Sequence, residues 1–181
     1  YPDDAVFVDL FGGSGLLSYI TRHEKPKATV IYNDFDNYRQ RLENIGRTNA
    51  LLAEIRDMVK GCPRDKRIPE AIKQAIIARL WCEEKSGFVD YITLSASLLF
   101  SMKYCLSLEE LKKETFYNNV RKTDYPSCDD YLAGIETISC DYKVLFEKYK
   151  DIPNVVFLVD PPYLSTETGT YNMYWKLSDY L

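Results

Sequence analysis

Histidine is nearly absent from this chain: His23 is the only one in 181 residues. It sits among Arg22, Glu24 and Lys25, an ordinary solvated setting that offers neither a metal cluster nor an imidazole base. Cysteine is scarce and uneven. Cys62, Cys82, Cys105, Cys128 and Cys140 are odd in number and widely spaced, with no C-x-x-C pair. That pattern argues against a disulfide framework or a zinc site, so we expect no metal and a reducing, cytoplasmic setting. No apolar stretch approaches the ~20 residues a membrane span needs. The N-terminal Tyr1-Pro2-Asp3-Asp4 has neither the charged region nor the apolar region of a signal peptide. It also lacks an initiator Met, which leads us to expect sequence upstream.

Positive charge is also in short supply. The net charge is −4, which by itself discourages a nucleic-acid partner. The distribution is uneven, however. Residues 1–59 hold 7 basic and 9 acidic side chains, residues 60–124 hold 12 and 9, and residues 125–181 hold 4 and 9. Only the middle of the chain has a basic surplus.

What is present is an α/β rhythm with an interruption. Ala5-Val6-Phe7-Val8-Asp9-Leu10 is a short apolar run that reads as a buried parallel strand. It enters a glycine turn, Phe11-Gly12-Gly13-Ser14-Gly15, and then a helical stretch from Leu16. Thr29–Asn33 reads as a second strand closed by Asp34, and Asn37 to about Lys60 as a helix. Strand, turn, helix and strand make a βαβ unit, so a parallel sheet is expected. Gly61-Cys62-Pro63 breaks the pattern. From there to about Tyr131 the chain reads as largely helical, with Ile68–Glu83 and Tyr91–Tyr104 the best helices. The rhythm resumes with a strand at Thr137–Cys140, a helix at Tyr142–Tyr149 and a strand at Val155–Val159. We therefore expect a catalytic core from 1–60 and 132–181, and a mainly helical insertion over 61–131.

Two motifs carry chemistry. Glycines after a first strand let the backbone turn tightly and approach a ligand without Cβ interference. Gly13 and Gly15 supply this, although the third glycine of a full G-x-G-x-x-G is replaced by Ser18. Asp34 follows Gly15 by 19 residues, close to the ~20 expected of a carboxylate on ribose hydroxyls. This pair suits NAD as well as S-adenosylmethionine, and a glycine turn with no ligand also fits. Asp9 equally suits a cap on the following helix.

The second motif is Asp160-Pro161-Pro162-Tyr163, directly after an apolar strand, where open α/β sheets bind ligands. An exocyclic amine on adenine is a poor nucleophile because its lone pair is delocalised into the ring. The Asp160 carboxylate and the Pro161 carbonyl can each accept one N–H, favouring a pyramidal nitrogen whose lone pair faces a methyl donor. The prolines stiffen the turn. Tyr163 offers a flat face for an extruded base.

With these residues the chain resembles the Dam-like DNA adenine methylases. Asp9-x-Phe11-x-Gly13-x-Gly15 matches that family's cofactor loop, Asn33-Asp34-x-Asp36 its acidic second-strand motif, and Asp160–Tyr163 its DPPY. Cys140-Asp141-Tyr142 resembles the acid after the family's third strand. The resemblance implies a Rossmann-like methyltransferase sheet and S-adenosylmethionine as cofactor. It implies that Asp9 and Phe11 border the methionine part, Asp34 holds the ribose and Asp141 faces the adenine amine. It also implies double-stranded DNA as substrate, with the insertion as target-recognition segment. Two departures lead us to expect a sheet cut short at both ends. Nothing here matches the family's Lys- and Gly-containing motif before the first strand, and only 18 residues follow Tyr163.

Within the insertion, Lys112, Lys113, Arg121 and Lys122 are interleaved with Phe116, Tyr117 and Tyr125. Phosphate contacts with aromatic wedges suit DNA; a solvated face over core aromatics accounts for the same residues. Asn118-Asn119 could read an adenine edge or form a turn. The function expected is N6-adenine methylation of DNA. N4-cytosine or RNA N6-adenine methylation, an NAD-dependent oxidoreductase and a non-catalytic DNA-binding relative are the alternatives. Cytosine-N4 enzymes usually carry Ser in place of Asp160, and an oxidoreductase leaves the DPPY without a role.

Overall fold

The structure is a computed structural model describing residues 1–100 and 103–161. Four strands form one parallel sheet: β1 (Val6–Asp9), β2 (Thr29–Asn33), β3 (Glu136–Ile138) and β4 (Val155–Leu158), in the order β3-β2-β1-β4. With its flanking helices this is an α/β, Rossmann-like sheet. Register is set by alternation. Phe7, Val30 and Tyr32 share one apolar cluster with Val156 and Leu158, while Val8 and Ile31 share another with Val155, Phe157, Leu145 and Tyr149. Both faces are covered, which is why these strands read as continuous apolar runs.

The order of the strands decides where a ligand can sit. From β1 the chain steps outward through β2 to β3, then returns to place β4 on the other side of β1. The reversal falls between β1 and β4, whose register pairs Asp9 with Leu158. Open α/β sheets bind ligands outside the carboxyl ends of the strands at this reversal.

Helices α1 (Leu16–Glu24), α2 (Tyr38–Glu43) and α7 (Tyr142–Tyr149) complete the first of two compact units, Tyr1–Glu43 with Cys128–Leu181. The second unit, Asn44–Ser127, holds α3 (Ile45–Met58), α4 (Glu70–Ser86), α5 (Tyr91–Leu98) and α6 (Leu108–Leu111). The helical pattern from Asn37 to Lys60 is thus two helices parted at Asn44. Leu51, Leu52 and Ile55 of α3 are buried in one cluster with Ile76, Leu80, Leu94, Leu111 and Phe116, so α3 belongs by packing to the second unit. Local chemistry explains its helix starts. Asp90 accepts the Thr93 amide at 3.0 Å, and at α6 the Ser107 hydroxyl accepts the Glu110 amide while the Glu110 carboxylate accepts the Leu106 amide. The unit's two ends are tied by one side chain. Asn49 donates from Nδ2 to the Tyr125 carbonyl and accepts the Tyr125 amide at Oδ1, both at 2.9 Å. Among the described residues no helix is long and apolar enough to cross a membrane.

Candidate functional site

The site is built from the glycine turn upward. Gly13 and Gly15 have φ of +49° and +77°, left-handed values that glycine adopts without penalty. Gly12, which the motif leaves open, is the most constrained of the three. A Cβ there would lie 2.2 Å from a ring carbon of Tyr32 and 2.8 Å from the Asn33 carbonyl. The ring of Tyr32 therefore lies directly against the turn. Its hydroxyl is 2.7 Å from the Gly13 carbonyl and 3.1 Å from Asp34 Oδ1. Burial, reinforced by the Asp34 and then the Asp9 carboxylate, holds that hydroxyl well above the usual tyrosine range. It stays protonated as a donor.

Asp9 ends β1 at the reversal of the sheet and is fully buried. Its Oδ2 accepts the Ser18 hydroxyl at 2.8 Å, while Oδ1 has no hydrogen-bond partner of good geometry. The bond to Ser18 braces the first turn of α1, so Asp9 acts as a helix brace. Burial pushes its carboxyl up from 3.8 to about 6. The Ser18 hydroxyl and the Phe11 amide pull the other way, and the charge of Asp160 adds to the rise. Asp9 and Asp160 are thus electrostatic neighbours at the carboxyl ends of β1 and β4. Leu10 N donates to the Leu158 carbonyl at 3.1 Å, which holds the two exits side by side.

Asp34, nearly buried after β2, is already engaged. Oδ1 accepts the Tyr38 amide at 2.5 Å and Oδ2 the Arg39 amide at 3.0 Å, so it caps α2. With Tyr32 Oη also against Oδ1, about three of a carboxylate's four acceptor directions are used. Asp141 is the N-cap of α7, accepting the Lys143 amide at 2.8 Å, and is exposed. Phe11 packs on Tyr142 with ring centroids 4.8 Å apart. Asp160 is exposed and Pro161 half-buried just beyond β4; Pro162 and Tyr163 lie outside the described residues.

Asn33, marked in the sequence only as the first residue of the motif Asn33-Asp34-x-Asp36, has a role that the motif does not give. Its Nδ2 donates to the carbonyls of Leu10 and Cys140, each at 2.9 Å, and its Oδ1 accepts the Cys140 amide at 3.1 Å. One buried amide thereby fastens the exits of β1, β2 and β3. The available signal was a polar residue closing an otherwise apolar strand, Val30-Ile31-Tyr32-Asn33.

A sulfonium cofactor bearing adenosine fits these residues. Gly13 is the point of the turn with room for close approach, since a Cβ there would meet nothing nearer than 3.8 Å, and the half-satisfied Asp9 carboxylate suits a neighbouring positive charge. Phe11, Asp141 and Tyr142 would border it on one side.

The cationic residues marked in the sequence lie in the second unit. Lys112 pairs with Glu109 at 2.5 Å, and Lys113 is exposed. Arg121 stacks over Tyr125 at 4.3 Å, and Lys122 is exposed. Asn118 and Asn119 spend their amides on the carbonyls of Cys62 and Leu99, and Phe116 is core.

No protein-family model matches the chain, and no solved structure does. The chain is similar to a Haemophilus influenzae protein named "Putative methyltransferase", 42% identical over 177 residues. The match covers 96% of this chain and 59% of that protein, so the chain spans about three-fifths of its relative's length. The α/β sheet, its glycine turn and the two carboxylates at its reversal all lie in a chain that is similar to this protein over nearly its whole length.

Proposed function

We propose that the protein transfers a methyl group from S-adenosylmethionine to N6 of adenine in DNA. The observation that carries this reading is the meeting of Asp9 and Asp160 at the β1–β4 reversal, where the two motifs of the sequence converge. S-adenosylmethionine supplies an electrophilic methyl on a sulfonium sulfur. The chain's own work is to bind and to orient. Asp9 and Phe11, with the turn Gly12–Gly15, would border the cofactor's methionine end, Asp34 would hold its ribose and Asp141 would face its adenine amine. Asp160 and the Pro161 carbonyl accept the two N–H bonds of the target amine, turning its lone pair toward the methyl group. Asp160, exposed to solvent, would take up the N6 proton that the amine gives up on methylation. Asp160 rather than Ser favours adenine over cytosine.

The test is nucleoside analysis of unmethylated DNA after incubation with S-adenosylmethionine and the protein at its full encoded length. N6-methyladenine is expected, and Asp160→Ala should abolish it while leaving cofactor affinity within about threefold. N4-methylcytosine, or methylation found only on RNA, would overturn the substrate. Loss of cofactor binding in Asp160→Ala would overturn the role of Asp160.

A further inference from the structure

The second unit carries a basic strip assembled from two remote segments. Residues 64–67 run antiparallel beside 116–120. The Asp65 amide donates to the Asn118 carbonyl at 3.1 Å, the Asn118 amide to Lys66 at 2.9 Å and the Ile68 amide to Phe116 at 2.8 Å. Arg67 and Tyr117 form the bridge between them. Ile68, Phe116 and Val120 point into the core and anchor the pair. Arg64 reaches across to the Asn119 and Val120 carbonyls. Arg56 does the same to Arg121 and Lys122, bonding their carbonyls at 3.5 and 3.1 Å.

This pairing gathers Lys60, Arg64, Lys66, Arg67, Arg121 and Lys122, all exposed, in a chain whose net charge is −4. The carboxylates among them are few. Asp124 is taken by Arg56 at 2.5 Å, Asp65 lies 3.7 Å from Arg64, and Asp57 is exposed at the end of α3. Among the described residues, the side chains of Lys60, Lys66, Arg67 and Lys122 form no ion pair. The other basic stretch of this unit is different. Lys103 pairs with Glu114 and Lys112 with Glu109, so its charge is largely cancelled where it stands.

We propose that the strip formed by residues 60–67 and 121–122 is the surface that holds the phosphate backbone of double-stranded DNA. This rests on the DNA reading above and locates its backbone contacts away from Lys112 and Lys113. The strip is held by backbone pairing and buried anchors, so its cations are presented with little ordering cost. Unpaired surface cations facing a polyanion gain through counterion release, which makes binding steeply salt-dependent.

The experiment is fluorescence anisotropy of an unmethylated duplex with the full-length protein across a series of KCl concentrations. Lys66→Ala/Arg67→Ala should weaken binding at least about tenfold at low salt and reduce the log–log salt slope by roughly 2, one phosphate per cation lost. Lys112→Ala/Lys113→Ala should produce a distinctly smaller loss. Thermal melting checks that each variant is folded, and Lys122→Ala alone, at an exposed position, gives a second reading with a slope change of about 1. Equal losses in the two double variants, or an unchanged slope in the folded strip variants, would overturn the proposal. If those variants still methylate DNA with an unaltered KM for the duplex, the strip fails and the methyltransferase reading stands. A wild-type protein that neither binds nor methylates duplex DNA sinks both.

Discussion

Replacing Asp9 by Asn removes a buried ionisable group from the site, and its effect on stability should become more favourable as pH rises. The folded-state carboxyl lies at about 6 instead of 3.8, so the folded chain binds a proton that the unfolded chain has already released. The stability associated with the protonated form is full below 3.8 and is lost as pH rises through 6. By linkage, the ionised carboxyl costs roughly 3 kcal/mol at pH 8 and about half of that at pH 5. Asn has no charge to desolvate. It can still accept the Ser18 hydroxyl on one side, but it turns an amide donor toward the partnerless position of Oδ1. A buried unsatisfied donor costs about 1–3 kcal/mol at any pH. The variant should therefore gain on the wild type by about 1.5 kcal/mol between pH 5 and pH 8, a relative rise in Tm of ~3–6 °C for a chain of this size. Urea denaturation of both proteins at the two pH values measures it. A difference that stays constant with pH would refute the reasoning, because only the titration of Asp9 makes it vary.

Gly12→Ala should destabilise the protein by about 3 kcal/mol through overpacking, since its Cβ would meet the ring of Tyr32; a melting temperature equal to wild type would show that the ring can move aside. Asn33→Ala strands the Leu10 and Cys140 carbonyls and the Cys140 amide, at roughly 1–3 kcal/mol for each group that water cannot reach. Cofactor affinity, read by calorimetry, should fall with stability, and Asn33→Asp, which keeps only the acceptor, should not restore it. An unchanged dissociation constant in a folded Asn33→Ala would detach this residue from the site.

β1, β2 and β4 were legible in the sequence because each is a short apolar run, whereas β3, Glu136-Thr137-Ile138 at the sheet edge, is not one, and it begins and ends before the expected Thr137–Cys140. Thr29–Asn33 and Tyr142–Tyr149 fall where their patterns put them. Asp9 and the glycine turn were legible because strand, turn and helix follow one another directly along the chain. What stayed hidden depends on partners remote in sequence. Asn33 reads as one more residue of a strand until Cys140, 107 positions away, is brought beside it. The break at Asn44 escaped notice because Leu42, Ile45, Leu51 and Leu52 keep near-helical spacing across it, and periodicity does not say which core a helix joins. Ion pairing is equally hidden from a reading of charge along the chain: Lys112 and Lys113 stand out as a pair, and the structure sets Glu109 against Lys112.

The tie between Asn49 and Tyr125 bears on the order in which the chain folds. About a hundred residues must be looped out before β3 can find β2, and closing so long a loop is slow and entropically costly. With its ends already fastened to one another, the Asn44–Ser127 unit presents itself to the sheet as a short connection, roughly 25 residues of effective length. That lowers the closure cost by about 1 kcal/mol. The inserted unit thus leaves and re-enters the chain at nearly one point.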